Sequence, residues 1–216
     1  MKFTKTAVVL GASTLVALAG PAMAAAPYAV SVGSATSGAH GFTAATTNGI
    51  AFAVSHGAGT VNLGCTSGTA NGSVTAGTNA TGANVGSISS SSWTGCIGPA
   101  GLAMNVTQVG SWSLNLTGSQ SAAATDDIAG NVGNVRAHVQ AALGASVCSF
   151  DVVGTADAIL HESASGGGQT LEIAENSANL TLENVVNCFG AVANGDEASF
   201  ATTYAITSAD GVINVQ

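Results

Sequence analysis

The sequence has 216 residues, of which 46% are hydrophobic and only 6% are charged, with 3 Lys and Arg against 11 Asp and Glu. Disordered chains combine low hydrophobicity with high charge, so this composition predicts a folded protein. The deficit of basic residues excludes electrostatic binding to nucleic acid and to anionic lipid, because both need clustered Lys and Arg.

The first 24 residues have the organisation of a secretory signal peptide. Two lysines precede an apolar run at 7–19, and small residues follow it up to Ala24. The run is shorter than the roughly 20 residues that a membrane-spanning helix needs. We expect cleavage after Ala24, which leaves one secreted or surface-associated β-domain over 25–216, without a membrane-spanning segment. Arg136 is then the single Lys or Arg, and the formal charge becomes −10.

The first strands are predicted by apolar residues that recur at every second position. The same alternation continues along the chain, between clusters of Gly and Asn, and is typical of antiparallel sheets. It predicts an all-β fold, an antiparallel β-sandwich of immunoglobulin-like or jelly-roll type. The residues expected to share a strand face, in chain order, are Ile50, Phe52 and Val54; Leu102, Met104 and Val106; Trp112, Leu114 and Leu116; Cys148, Phe150 and Val152; Leu171 and Ile173; Leu180 and Leu182; and Phe200, Tyr204 and Ile206.

The segment 132–143 fits either a strand or a helix. Val135, Ala137 and Val139 alternate with polar residues, which favours a strand with one solvent-facing side. Val132, Val135 and Val139 also have helical spacing, so a helix remains the alternative.

Turns are expected where residues that tolerate positive φ stand between these runs. The segment 68–92, rich in Thr, Asn, Gly and Ser, is interpreted as an exposed hairpin. Each half of the chain, about 40–120 and 130–210, has a similar order of strands and cysteines, which is consistent either with a duplication or with chance. The turn candidates are Asn48-Gly49, Asn71-Gly72, Gly166 to Gly168, Asn194-Gly195 and Asp210-Gly211.

Four cysteines, at positions 65, 96, 148 and 188, predict two disulfides in an oxidising compartment. Three pairings are possible. We favour Cys65 with Cys96 and Cys148 with Cys188, because each pair closes a local loop and each half of the chain receives one cross-link. A zinc site is not favoured, because no two cysteines have the short spacing of zinc ligands.

No catalytic, cofactor or metal motif is found. His161-Glu162 begins like a zinc-protease motif, but Ser165 stands where its second histidine is needed. A Gly-x-Ser-x-Gly elbow is missing. We therefore expect no enzyme and no cofactor. Of the two tryptophans, Trp112 is expected in the core, and Trp93 is a candidate ligand contact at a partly exposed position.

Segments around the cysteines and tryptophans carry a resemblance to known families. They are Leu63-Gly-Cys-Thr, Ser92-Trp-Thr-Gly-Cys-Ile-Gly-Pro, Ser111-Trp-Ser-Leu-Asn-Leu, Val147-Cys-Ser-Phe-Asp-Val-Val-Gly and Val186-Asn-Cys-Phe-Gly with Asn194-Gly-Asp. These segments resemble a family of small exported actinobacterial proteins and, more distantly, the family of PraB, an activator of alkane oxidation. The likeness covers most of the exported chain, but its motifs are structural, and no catalytic residue is carried over. It implies an extracellular or surface protein that assists contact with hydrophobic substrates.

The sequence therefore indicates a non-enzymatic structural or binding protein. Its partners are further copies of itself, components of the cell envelope, or an apolar ligand. Scarce charges suit assembly through sheet edges, so a long unpaired edge and no pocket would favour self-association. The alternative is a secreted carbohydrate-binding module or hydrolase, which a concave face with two carboxylates, or with Trp93 beside a second aromatic, would favour.

Overall fold

The computed structural model describes residues 27–79, 81–119, 127–142, 148–162 and 168–216. Within them the chain forms one turn of 3₁₀ helix at Pro99–Gly101 and thirteen strands. No helix in these ranges has the length and apolar character needed to cross a membrane. The strands are β1 (Tyr28–Val32), β2 (Gly38–Thr46), β3 (Ile50–His56), β4 (Gly59–Cys65), β5 (Ser67–Asn79), β6 (Gly86–Thr94), β7 (Met104–Gln108), β8 (Trp112–Leu116), β9 (Asp127–Ala141), β10 (Ser149–His161), β11 (Gln169–Val186), β12 (Glu197–Thr207) and β13 (Ile213–Val215).

The strands pair antiparallel, and the sheet closes on itself into an eight-stranded barrel. Around the barrel the order is β5-β2-β12-β11-β10-β9-β7-β6, and β6 pairs with β5 to complete the ring. β8 lies beside β7 between β9 and β6, and β3 lies beside β2 along β12. The all-β antiparallel class is confirmed, whereas the expected sandwich is wrong. The β5–β6 pairing joins the two ends of one sheet, so two separate facing sheets do not form.

Irregularities in the long strands provide the curvature that closure needs, because a bulge bends and twists a strand. One lies in β11, whose pairing with β12 shifts between Glu175 and Leu180. The runs around Leu171 and Leu180, expected as separate strands, are therefore two parts of one strand. The carboxylate of Glu175, 1% exposed, accepts a hydrogen bond from the Asp157 N–H at 3.0 Å. A backbone donor beside the irregularity is thereby satisfied.

The inward faces of the strands form the core. Val135, Ala137, Val139 and Ala141 on β9 are buried, and the residues between them are more exposed. The strand interpretation of 132–143 is thus confirmed up to Ala141, where β9 ends, and Leu143 lies outside the described residues. A smaller apolar cluster, with Ile128 at its centre, fills the part of the barrel near β1 and β13.

Strand β13 has a β-strand partner on one side only, and side chains cover its other side. The amide of Gln169 binds both the N–H and the carbonyl of Ile213. The Glu162 carboxylate accepts a hydrogen bond from the Val215 N–H at 2.6 Å. Because these side chains occupy the backbone groups, this edge is closed to pairing with another strand.

Two of the expected turns are confirmed, at Asn194-Gly195 and Asp210-Gly211. The turn expected at Asn48-Gly49 is wrong, because β2 and β3 on either side of it both run antiparallel to β12, so the chain bends there without reversing. Of the glycine triplet, Gly168 lies just before β11, and residues 166–167 lie outside the described residues. The turn expected at Asn71-Gly72 is wrong, because both residues lie inside β5, where its pairing with β6 shifts.

Gly72 is required by close packing at this shift. A β-carbon there would lie 2.5 Å from Cζ of Phe42 and would also overlap the carbonyl oxygen of Ser87. The hairpin expected over 68–92 is formed by β5 and β6, which pair antiparallel. Both are long strands of the barrel wall.

Both disulfides have the favoured pairing, Cys65–Cys96 and Cys148–Cys188. The first joins the end of β4 to the segment after β6, where Gly64 and Ile97 exchange backbone hydrogen bonds of 3.0 and 2.8 Å. The second joins the start of β10 to the segment after β11. Each cross-link therefore fixes strand ends at the rim of the barrel.

We expect replacement of Cys148 and Cys188 by alanine to lower the free energy of unfolding by about 3–4 kcal/mol, because the unfolded chain gains the entropy of an open loop. Guanidinium denaturation of the double variant, with Cys65–Cys96 left intact, measures the loss. An unchanged denaturation midpoint would contradict this role.

We expect Gly72→Ala to lower the free energy of unfolding by about 1–3 kcal/mol, because the added methyl group overpacks against the Phe42 ring. Gly41→Ala is the matched control, since its β-carbon would meet only the Gly72 carbonyl oxygen at 3.9 Å. Urea denaturation compares the two variants. Equal midpoints for both would show that close packing at Gly72 is unimportant.

Candidate functional site

The barrel interior contains an apolar cavity of about 100 Å³. Its lining comes from strands on every side of the barrel and is almost entirely aliphatic and aromatic. The polar exceptions among the described side chains are the Ser91 and Tyr204 hydroxyls and the indole nitrogens. The six aromatic residues of the lining are Phe42, Phe52, Trp93, Trp112, Phe200 and Tyr204.

The strand alternation brings these aromatic residues together. Phe52 on β3 and Phe200 on β12 are directly opposite in register, so both rings project from one face. Tyr204 follows Phe200 by four residues on the same face of β12. The sequence pattern that predicted an inward face for β12 therefore also predicts the aromatic lining.

Trp93 and Trp112 lie side by side in this lining, with ring centroids 6.0 Å apart and a tilt of 36° between the planes. Trp112 is buried, as expected, and its indole N–H donates to the Arg136 carbonyl at 3.3 Å. Trp93 is half-buried and packs against the core. The aromatic pair thus faces the interior of the barrel and does not form an external platform. The role of Trp93 as a ligand contact remains a prediction.

One part of the cavity wall is formed by the first disulfide and the strand that it holds. Leu63, Cys65 and Cys96 all contribute to the lining. The Cys65–Cys96 bond attaches β4 and its hairpin partner β3 to the segment after β6. This cross-link therefore stabilises the cavity wall as well as the fold.

A second apolar cavity of about 60 Å³ lies beside the first. Phe42, Leu171 and Ile206 line both cavities, so these three side chains form the partition between them. The barrel interior is thus under-filled in two adjacent places.

Outside the barrel, each of the four histidines forms an ion pair with at least one carboxylate. His40 contacts Asp210, His56 contacts Asp196, His138 contacts Asp151, and His161 contacts Asp127 and Glu172. No serine, threonine or tyrosine hydroxyl hydrogen-bonds to a histidine in the described ranges. The described His, Cys, Asp and Glu side chains also form no group of three that could hold a metal.

Three of these ion pairs shift a pKa. The hydrogen bond to Asp210 raises the pKa of the His40 imidazole. Partial burial opposes ionisation of His161, but its hydrogen bonds to Asp127 and Glu172 outweigh that effect and raise the pKa of the imidazole. Burial likewise opposes ionisation of Asp151, yet hydrogen bonds from His138 and Asn184 lower the pKa of that carboxyl. Each shift favours the charged form of a group in an ion pair on the outer face of the sheet.

Sequence reasoning missed an exposed aromatic residue next to the second disulfide. Phe189 is 89% exposed and has a φ of 53°, a conformation that a bulky residue rarely adopts. No described contact explains why an apolar ring is held in solvent there.

Comparisons of the chain with protein-family models, with curated proteins and with solved structures find no match. The cavity is therefore the feature from which a function can be argued.

We expect the stability difference between the wild type and His161→Gln to shrink as pH rises. The folded-state pKa of His161 is raised, so its ion pairs stabilise fully below about pH 6.5 and lose that contribution as pH passes the folded-state value. Urea midpoints from pH 5.5 to 8.5 test this, with 1 M salt as a control that weakens exposed pairs. A difference that grows with pH would contradict the assignment.

Proposed function

We propose that this chain is a non-enzymatic secreted or cell-surface binding protein that encloses a small apolar ligand inside its barrel. The observation that carries the proposal is the cavity of about 100 Å³ with its nearly continuous aliphatic and aromatic lining. Binding in such a site is driven by the removal of apolar ligand surface from water.

The cavity volume sets the size of the ligand. An apolar cavity of about 150 Å³ in another protein stays dry and binds benzene. The cavity here is smaller, at about 100 Å³, so its ligand is at most a single small ring or a short alkyl chain. Longer chains exceed the first cavity unless the side chains that separate it from the second cavity move.

The position of the aromatic residues supports this function over carbohydrate binding. Trp93 does stand beside a second aromatic, but the pair lies among Phe42, Phe52 and Phe200 inside the barrel. A sugar brings many hydroxyl groups, and burying them without hydrogen-bond partners is costly. The lining offers few such partners.

The closed sheet supports ligand binding over assembly through strand edges. Closure removes the edges of the main sheet, and the side chains of Gln169 and Glu162 cover β13. A pocket is present, and the free edge that remains in the described residues, that of the seven-residue strand β4, is covered at one end, where Gly64 and Ile97 exchange hydrogen bonds.

Two disulfides are compatible with an oxidising environment outside the cytoplasm. Together with the signal peptide expected at residues 1–24, they support the proposed extracellular or cell-surface location. The sequence resemblance to the PraB family implies contact with hydrophobic substrates, and an apolar ligand agrees with that expectation.

We expect benzene to change the tryptophan fluorescence of the purified protein, because both tryptophans of the chain line the cavity. Ala137→Leu should weaken binding at least tenfold, since the larger side chain fills the cavity from β9. Titration followed by fluorescence, together with the rise in melting temperature on binding, measures the affinity.

Ala201→Leu is the matched control for this experiment, because Ala201 is exposed on β12. Ala44→Leu provides a second filling variant from β2 if Ala137→Leu does not fold. The proposal fails if benzene does not bind to the wild type, or if the exposed substitution weakens binding as much as the buried ones.

A further inference from the structure

Among the described residues of the cavity lining, the side chains with N–H or O–H groups are Ser91, Trp93, Trp112 and Tyr204. The Trp112 indole N–H already donates to the Arg136 carbonyl. Ser91 and Tyr204 contribute hydroxyl groups, and Trp93 contributes an indole N–H. No described Lys, Arg, His, Asp or Glu side chain lines the cavity.

The phenol of Tyr204 has a proton without an acceptor. The Trp93 indole lies close to the Tyr204 hydroxyl, and an indole N–H can donate to the phenol oxygen but cannot accept its proton. Within the described residues, no acceptor for the phenol's own proton is found. Tyr204 is only 5% exposed and lines the cavity, so a ligand bound there can supply the missing acceptor.

Burial also keeps this phenol in its neutral form. It raises the pKa of Tyr204 above its ordinary value, and the Trp93 contact only partly opposes that rise. The hydroxyl therefore retains a proton that it can donate at neutral pH.

Tyr204 is held close to the other polar groups of the cavity. A β-carbon at Gly68 would lie 3.0 Å from Cδ1 of Trp93 and 3.3 Å from the Tyr204 hydroxyl. Gly68 pairs with Trp93 across β5 and β6, and Ser91 precedes Trp93 by two residues on the same face of β6. The Ser91 hydroxyl likewise makes no hydrogen bond with the described residues. One region of the lining thus combines two hydroxyls and an indole N–H.

We propose that the cavity selects a small, neutral, apolar molecule that carries one hydrogen-bond acceptor oxygen, a ketone, aldehyde, ether or alcohol, and that this oxygen accepts the Tyr204 proton. This inference rests on the proposed function and names its ligand class. The apolar remainder of the ligand packs against the aliphatic and aromatic lining. A carboxylate is excluded because the lining supplies no cation to balance its charge.

Three probes of similar ring size test the selection: cyclohexanone, methylcyclohexane and cyclohexanecarboxylate. Each is titrated into the purified exported chain, and tryptophan fluorescence follows binding. Because the carbonyl of cyclohexanone loses hydrogen bonds to water when it enters the cavity, the two affinities are compared between the wild type and Tyr204→Phe and not with each other. The carboxylate should not bind at neutral pH.

Tyr204→Phe should reduce the affinity for cyclohexanone about tenfold, the effect of one buried hydrogen bond, and should not reduce the affinity for methylcyclohexane. Tyr28→Phe is the matched control, because Tyr28 is the other tyrosine of the chain and its hydroxyl donates to the Gly118 carbonyl outside this cavity. It should leave both affinities unchanged. Near-ultraviolet circular dichroism verifies that each variant is folded.

If Tyr204→Phe does not fold, the infrared carbonyl stretch of cyclohexanone bound to the wild type decides. A frequency equal to that in an apolar solvent would show that the oxygen accepts no hydrogen bond, which would overturn the selection and leave the proposed function standing. An equal loss for both probes in Tyr204→Phe would do the same. If neither probe nor benzene binds to the wild type, the proposed function itself is overturned.

Discussion

The structure depends on one geometric constraint: an eight-stranded closed sheet encloses an interior of fixed width. Such an interior is just wide enough to be filled by side chains or to hold one small ligand. Here many inward positions carry alanine, among them Ala44, Ala70, Ala137 and Ala156. The ring of hydrogen bonds sets the width, and small side chains leave part of the interior empty. The cavity is therefore a consequence of alanine at inward positions of a barrel that cannot collapse around them.

Charged groups in this chain serve mainly to satisfy other groups of the fold. Arg136 lies on the outer face, where its guanidinium contacts Asp151 at 3.4 Å and Glu183 at 2.8 Å. Glu162 and Glu175 are buried, and their carboxylates accept hydrogen bonds from backbone N–H groups. Such carboxylates replace strand partners that the topology does not provide. The interior is left to apolar side chains and a few hydroxyls.

Much of the local structure could be predicted from the sequence. Alternation gives the face of each residue, so Trp112 and Tyr204 were correctly expected to point inward. Cysteine spacing gave both disulfides. These features are local, or follow from a period of two, and no knowledge of the whole sheet is needed.

Closure and the cavity could not be predicted in the same way. Alternation states which side chains share a face, but not how strongly the sheet curves or whether its ends meet. The Asn71-Gly72 pair shows the difficulty, because the same dipeptide serves a hairpin turn or an irregularity within a strand. What decided between them was the ring of Phe42, which is remote in sequence and occupies the space beside Gly72. The inward position of Trp93 likewise depends on closure.

The pairing of β12 with β2 has a consequence for the order of events during folding. The Thr43 hydroxyl hydrogen-bonds to the Thr207 carbonyl across 164 residues of chain. Folds dominated by such distant pairings form slowly, because the entropy of closing a long loop is lost before the contacts are gained. Until β12 has been made, β2 and β11 lack the strand that joins them, and the ring stays open. The barrel therefore cannot be completed before almost the whole polypeptide has been made.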